Sequence, residues 1–250
     1  MNFNMKYLIK HFYYQMSHFK MHNLTPLLLY LISLLFLSIG LFTLNDSDSM
    51  RYLYIVIGLN TVVWLFSMVV LNRNTAFYKD SIVKVNYMPI FYRMMPAVLF
   101  QTFVFVLMLS ITVSTASLVI GFWQMNIFSL LYYVVVGVLL IIPFTLLYLI
   151  FGNPNDRVNM AVFAVLIISV PIIYLPENLP NLFNDILSLN PFYYIVNGLQ
   201  LNTAGISWNV NRLPHDVLFF TQIAVIYLWI FKFYEKMKFN IYNFNKKRQD

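Results

Sequence analysis

The residues whose types suit acid–base or metal chemistry in this sequence are four histidines and one aspartate, namely His11, His18, His22, His215 and Asp216. Each lies at the border of a long apolar segment, and three of the histidines fall within the first 22 residues, so we expect no metal site among them. His215 and Asp216 are adjacent and suit proton transfer. Their position at the start of an apolar segment instead favours a pair that caps a helix.

Motifs for nucleotide binding and metal-dependent hydrolysis are absent. The sequence contains neither G-x-x-x-x-G-K-[ST], nor G-x-G-x-x-G, nor H-E-x-x-H. It has no cysteine, which excludes disulfides, thiol nucleophiles and cysteine-based zinc sites. We therefore expect no catalytic residue, no metal and no cofactor bound by this chain.

The composition is that of an integral membrane protein. Hydrophobic residues make up 60% of the 250 residues and charged residues only 10%, whereas soluble domains carry about 25% charged residues. The net charge of +7 collects at the ends of apolar segments, which suits lipid headgroups rather than nucleic acid. The sequence predicts an all-α membrane protein with a single domain, residues 1–250.

Six segments approach the length of roughly 20 residues needed to cross a bilayer. The predicted spans are 24–44, 52–71, 96–120, 127–151, 158–175 and 214–233. The segments 1–23, 72–95, 152–157 and 232–250 hold three, four, one and six of the sixteen Lys and Arg residues. Because basic segments stay in the cytoplasm, both termini and the loop 72–95 are predicted to be cytoplasmic.

Residues 1–23 are predicted to form an amphipathic helix in the headgroup plane. Apolar and aromatic residues recur at spacings of three and four opposite a basic face, a pattern typical of interfacial helices. The defining residues are Lys6, Lys10, Phe12, Phe19 and Lys20. A solvated leader that tethers the first span is the alternative.

The segment 176–213 is too apolar for an aqueous loop. Two short re-entrant helices would explain its composition, since backbone at membrane depth must be covered by protein. Asn190 and Pro191 would separate these helices. An interfacial cluster of aromatic residues is the alternative.

The predicted spans contain no Asp, Glu, Lys or Arg near their centres. A charge at that depth costs about 2.5–3.5 kcal/mol and is kept for tasks such as proton relay. The chain therefore either conducts passively or takes its energy from a partner. Among the neutral polar residues, Asn60, Ser110, Ser114 and Ser117 would either pack helices together or line a path.

Three short segments resemble the permease subunits of type-2 ABC exporters, in particular those for teichoic acid and O-antigen polysaccharide. They are Ser81–Pro89 before the third span, Pro171–Pro176 at the end of the fifth, and Leu189–Ile195 before the sixth. The order of basic leader, spans, basic inner loop and apolar outer insert is also similar. The resemblance implies a bacterial plasma-membrane protein that works as a homodimer.

The resemblance further implies two copies of an ATP-binding partner subunit, which would hold ATP and Mg²⁺. The coupling contact would involve Asn74, Phe77, Tyr78, Lys79, Asp80 and Lys84, with residues 1–23 as an interface helix. The outer gate would include Asn190, Pro191, Phe192, Tyr193 and Tyr194. The cargo would be a lipid-linked polymer; the alternatives are export of a drug, peptide or bacteriocin, and a scaffold or sensor that transports nothing.

The predicted topology can be tested with alkaline phosphatase fused after residue 48 or residue 185. Both fusions should be active, because the enzyme works only outside the cytoplasm, while a fusion after residue 80 should be inactive. Cytoplasmic enzyme at 48 and 185 would contradict the topology.

Overall fold

The computed structural model describes residues 9, 13, 21–43, 46–77, 90–120, 127–151, 169, 170, 172, 173, 180–203 and 213–247. These residues form seven helices and, within these ranges, no strand. The helices are α1 Met21–Thr43, α2 Asp46–Phe77, α3 Ile90–Ile120, α4 Ile127–Phe151, α5 Asn181–Ser188, α6 Pro191–Thr203 and α7 Leu213–Lys247.

Five of the helices are long and apolar enough to cross a membrane. The apolar windows are Pro26–Thr43, Asp48–Val69, Met94–Ile120, Ile127–Leu147 and Pro214–Phe233. The prediction of an all-helical membrane protein is confirmed to this extent. The predicted span 158–175 lies mostly outside the described residues, and its described residues, 169, 170, 172 and 173, form a turn and bends.

Helix α2 is the centre of the bundle, and α1, α3, α4 and α6 pack against it. About two thirds of its apolar window is buried (67%), compared with 28% for α3 and 17% for α7. The Trp64 indole stacks on the Phe105 ring of α3, with ring centroids 4.4 Å apart and planes 5° apart. Because Asn60 also contacts Thr112, α2 and α3 run antiparallel.

Helices α4 and α7 are neighbours and run parallel. The Tyr227 hydroxyl of α7 donates to the Leu139 carbonyl at 3.4 Å, with both residues a similar distance along their helices. A small apolar cluster joins the start of α3 to the later turns of α4 and α7. Its buried members are Met94, Ile142, Leu146 and Ile230. We call this the basic end of the bundle, since Arg73 in the last turns of α2 and Arg93 in the first turn of α3 belong to it.

At the basic end two helices continue beyond the predicted spans. Helix α2 reaches Phe77, so six residues follow the predicted span 52–71 and extend about 9 Å at about 1.5 Å per residue. Helix α7 reaches Lys247, fourteen residues past the predicted span 214–233, which adds about 21 Å. The segment 72–95, predicted as a loop, is therefore helical at both of its ends, and residues 78–89 lie outside the described residues.

Candidate functional site

Helix α6 does not cross the bundle, yet it is the most completely buried helix. Its apolar residues Phe192, Ile195, Val196 and Leu199 are each 0% exposed. It packs against α2 on one side and α4 on the other. At thirteen residues it extends about 20 Å, which is shorter than the bilayer core of about 30 Å.

The break between α5 and α6 is built by Asn190 and Pro191. The Asn190 side-chain oxygen accepts from the Phe192 backbone N–H at 3.0 Å, and the Asn190 carbonyl accepts from Tyr193 N–H at 3.0 Å. These contacts make Asn190 the N-cap of α6, and Pro191 takes the first helical position, where its missing N–H costs little. The prediction that this dipeptide separates two short helices is confirmed, whereas their depth in a membrane is not shown.

Polar side-chain contacts join α6 to α2 at two positions along α6. The Tyr54 hydroxyl donates to the Asn197 side-chain oxygen at 3.3 Å. The Gln200 amide donates to the carbonyls of Tyr54 at 3.1 Å and Ile172 at 3.2 Å. Gly58 makes room for this amide, because a Cβ at that position would overlap it. The Gln200 side-chain oxygen is buried and has no hydrogen-bond partner among the described residues.

A second polar cluster lies where α4, α6 and α7 begin. The Tyr194 hydroxyl donates to Asp216 Oδ1 at 2.6 Å, and the Tyr132 and Tyr194 hydroxyl oxygens are 3.1 Å apart. Asp216 lies in the first turn of α7, where a negative charge is favoured by the helix dipole. Burial raises the pKa of Tyr194, and its hydrogen bonds to Asp216 and Tyr132 raise that pKa further. The Tyr194 hydroxyl therefore stays protonated and acts as a donor at neutral pH.

Asn60 lies in a third polar cluster within the bundle. The Ser33 hydroxyl of α1 donates to the Asn60 side-chain oxygen at 2.5 Å, and the Asn60 amide lies 3.5 Å from the Thr112 hydroxyl of α3. Asn60 is 2% exposed. It therefore joins three helices, which favours the packing interpretation over the path-lining one.

The serines predicted to share a path with Asn60 lie elsewhere on α3. Ser110 and Ser114 are exposed on the outer surface of the bundle, and Ser117 is half-buried. The hydroxyls of Ser110 and Ser117 donate within their own helix, each at 2.8 Å, to the carbonyls of Val106 and Val113. The structure does not bring these serines together with Asn60.

The predicted coupling and interface residues are described only in part. Asn74 and Phe77 belong to the last turns of α2. Tyr78, Lys79, Asp80 and Lys84 lie outside the described residues, as do Lys6, Lys10, Phe12, Phe19 and Lys20. Ile9 and Tyr13, which belong to the same predicted helix, are helical and exposed.

Sequence reasoning missed Tyr132 as a neighbour of the predicted gate residue Tyr194. The sequence separation of Tyr132 and Tyr194 is 62 residues, and no spacing pattern connects them. Asp216 was noticed only beside His215, whereas its contact with Tyr194 comes from α6.

No protein-family model matches the chain, and no curated protein matches it in sequence. The function must therefore be argued from the site itself.

Replacing Asn60 with Ala should lower the free energy of unfolding by about 1–2 kcal/mol, because contacts joining three helices are lost. Ser33 and Thr112 each keep a carbonyl of their own helix as partner, so neither is left unpaired. The exposed Ser114→Ala is the matched control and should have little effect. Thermal unfolding of the purified variants measures both, and equal melting temperatures for Asn60→Ala and wild type would contradict the packing role.

Proposed function

We propose that this chain is the membrane-spanning subunit of an ATP-driven ABC exporter. It moves a lipid-linked polysaccharide or a teichoic-acid-like polymer outward, and it resides in a bacterial plasma membrane with both termini in the cytoplasm. The observation that carries the proposal is a bundle of apolar helices without its own means of ion coupling. Within the five apolar windows, Asp48, Arg51, Asp216 and Lys232 are the Asp, Glu, Lys and Arg residues, and all four lie near window ends.

An external energy source follows from this distribution of charge. A proton- or ion-driven carrier keeps ionisable groups near mid-membrane in spite of their cost. Two of the polar clusters described in this bundle are neutral, namely Asn60 with Ser33 and Thr112, and Gln200 with backbone carbonyls, while the cluster that contains Asp216 lies at the start of α7. Neutral groups of this kind do not relay protons under a transmembrane potential.

The basic end supplies a surface for an ATP-binding partner. The ends of α2 and α7 extend past the predicted spans 52–71 and 214–233 there, and the predicted coupling residues Tyr78, Lys79, Asp80 and Lys84 follow α2. In the proposed complex two ATPase subunits, which hold ATP and Mg²⁺, dock below two copies of this chain. The amphipathic segment 1–23 lies beside them in the headgroup plane.

Helices α5 and α6 act as the outer gate in this proposal. Helix α5 exposes Leu182, Phe183 and Ile186, each at least 55% exposed, as expected of a helix that rests in lipid. Helix α6 is covered by α2 and α4, as required of a re-entrant helix.

The transport path lies between two copies of the chain rather than within one. The interior of a single copy is filled, since Trp64, Phe105 and Phe192 are each 0% exposed. Ser110 and Ser114 face outward from α3, so they line a path only where a second copy covers them. This assignment retains the homodimer and excludes Asn60 from the path.

The proposal predicts that an ATP-binding subunit is encoded beside this chain, and co-expression of the two proteins tests it. The two should purify together, and replacing Tyr78, Lys79 and Asp80 with Ala should abolish export while ATP hydrolysis continues, since contact residues of a docking surface carry most of its energy. The control variant, Asp48→Ala with Arg51→Ala, changes charges at the opposite end of α2 and should export normally. Normal export by the triple variant, or purification without an ATPase, would contradict the proposal.

A further inference from the structure

A cavity of about 320 Å³ opens where α4, α6 and α7 begin. It is lined by Phe128, Ser129, Tyr132, Tyr133, Tyr194 and Asp216. Three helices that are distant in sequence thus contribute to one cavity, at the end of the bundle opposite the basic end. The exporter assignment gives this cavity no ligand.

The tyrosine rings around the cavity are steeply inclined to one another. The Tyr132 and Tyr133 ring planes meet at 80° with centroids 5.1 Å apart, and the Tyr133 and Tyr194 planes meet at 53° with centroids 5.5 Å apart. Rings in this arrangement form several walls instead of one flat platform. The face of each aromatic ring is the negative part of its quadrupole, and such walls attract a cation.

The charge of the cavity is negative, like the faces of the aromatic rings, and so it also favours a cation. Asp216 contributes a carboxylate, and the described lining includes no basic side chain. Tyr194 occupies one acceptor position of that carboxylate, whereas a carboxylate has about four. Capacity for a positively charged ligand therefore remains.

The phenolic hydroxyls are already engaged with each other and with the carboxylate. Tyr194 donates to Asp216, and Tyr132 pairs with Tyr194. One face of the Tyr194 ring is also covered by Phe219, which stacks on it with centroids 4.2 Å apart. A sugar ring needs several free directional hydrogen-bonding groups, whereas an alkylammonium group needs no directional partner and is held by the remaining aromatic surface and a nearby negative charge.

We propose that the cavity formed by Tyr132, Tyr133, Tyr194 and Asp216 binds the alkylammonium group of a ligand. The group enters from the end of the bundle where α4 and α7 begin. The tyrosine rings surround it and Asp216 balances its charge. This site is independent of the exporter assignment, so either is able to fail without the other.

The test uses the full chain in nanodiscs of phosphatidylglycerol, a lipid without an ammonium group, titrated with choline in a calorimeter. Choline should bind. Its neutral isostere 3,3-dimethylbutan-1-ol, which has carbon in place of the charged nitrogen, should bind at least about tenfold more weakly. Equal binding of the two compounds, or binding of glucose without binding of choline, would overturn the proposal.

Variants of two residues that line the cavity, Asp216 and Tyr132, locate the site. Asp216→Asn and Tyr132→Ala should each weaken choline binding by about tenfold, whereas Tyr132→Phe keeps the ring and should stay within about twofold of wild type. Phe231→Ala removes an exposed ring elsewhere on α7 and is the control. If Asp216→Asn does not fold, the Tyr132 pair decides, because Tyr132 is 40% exposed. Choline binding that is insensitive to Tyr132→Ala refutes the site.

The same titration in nanodiscs containing phosphatidylethanolamine identifies the source of the ammonium group. Weaker apparent choline binding there shows that a lipid headgroup competes for the cavity. Unchanged binding shows that a soluble ligand is the occupant. Both results support an ammonium site, and they differ only in where the ammonium group comes from.

Discussion

A helix that enters a bundle without crossing it must have every backbone group covered, and α6 meets this requirement. Ten of its thirteen residues are buried, and it is held by side-chain contacts to α2 as well as by packing. Gly58 on α2 and Gly198 on α6 permit the close approach, since a Cβ at either would overlap Gln200 or the Tyr133 ring. The positions of α5, the tyrosine cluster and the cavity all depend on the packing of α6 against α2 and α4.

The position of α6 also explains how the two ends of the bundle differ. At the end where α6 begins, Tyr194 brings Asp216 of α7 and Tyr132 of α4 together. At the basic end, by contrast, the described contacts among α3, α4 and α7 form an apolar cluster, and α7 continues to Lys247. The two ends of the bundle therefore differ in chemistry, with a polar cavity at one end and an apolar cluster at the other.

Much of the helical architecture could be predicted from the sequence, because long apolar segments have few alternatives to helices in a membrane. The predicted span 127–151 coincides with α4, and the Asn190–Pro191 break falls between α5 and α6. The extension of α7 to Lys247 was missed, since charged and polar residues interrupt the sequence after Phe233 and hydropathy marks only the part of a helix that suits lipid. The helical ends of the segment 72–95 were missed for the same reason.

The candidate site was less predictable. Asn60 and Ser110 are both polar residues in apolar spans, yet Asn60 is buried among three helices and Ser110 faces outward. Which face of a helix meets its neighbours depends on packing. These spans are apolar on nearly all sides, so their sequences do not mark that face. The contacts of Tyr194 with Tyr132 and Asp216 likewise come from tertiary structure alone.

The most direct test of this account is hydrogen exchange of the α6 backbone amides, measured in the full chain in nanodiscs. Amides of residues 193–203 should be protected to the same degree as those in the buried middle of α2, because α6 is covered by protein on both sides. Exchange as fast as that of a hydrated loop would contradict the packing of α6 between α2 and α4, and with it the proposal that α6 belongs to a gate.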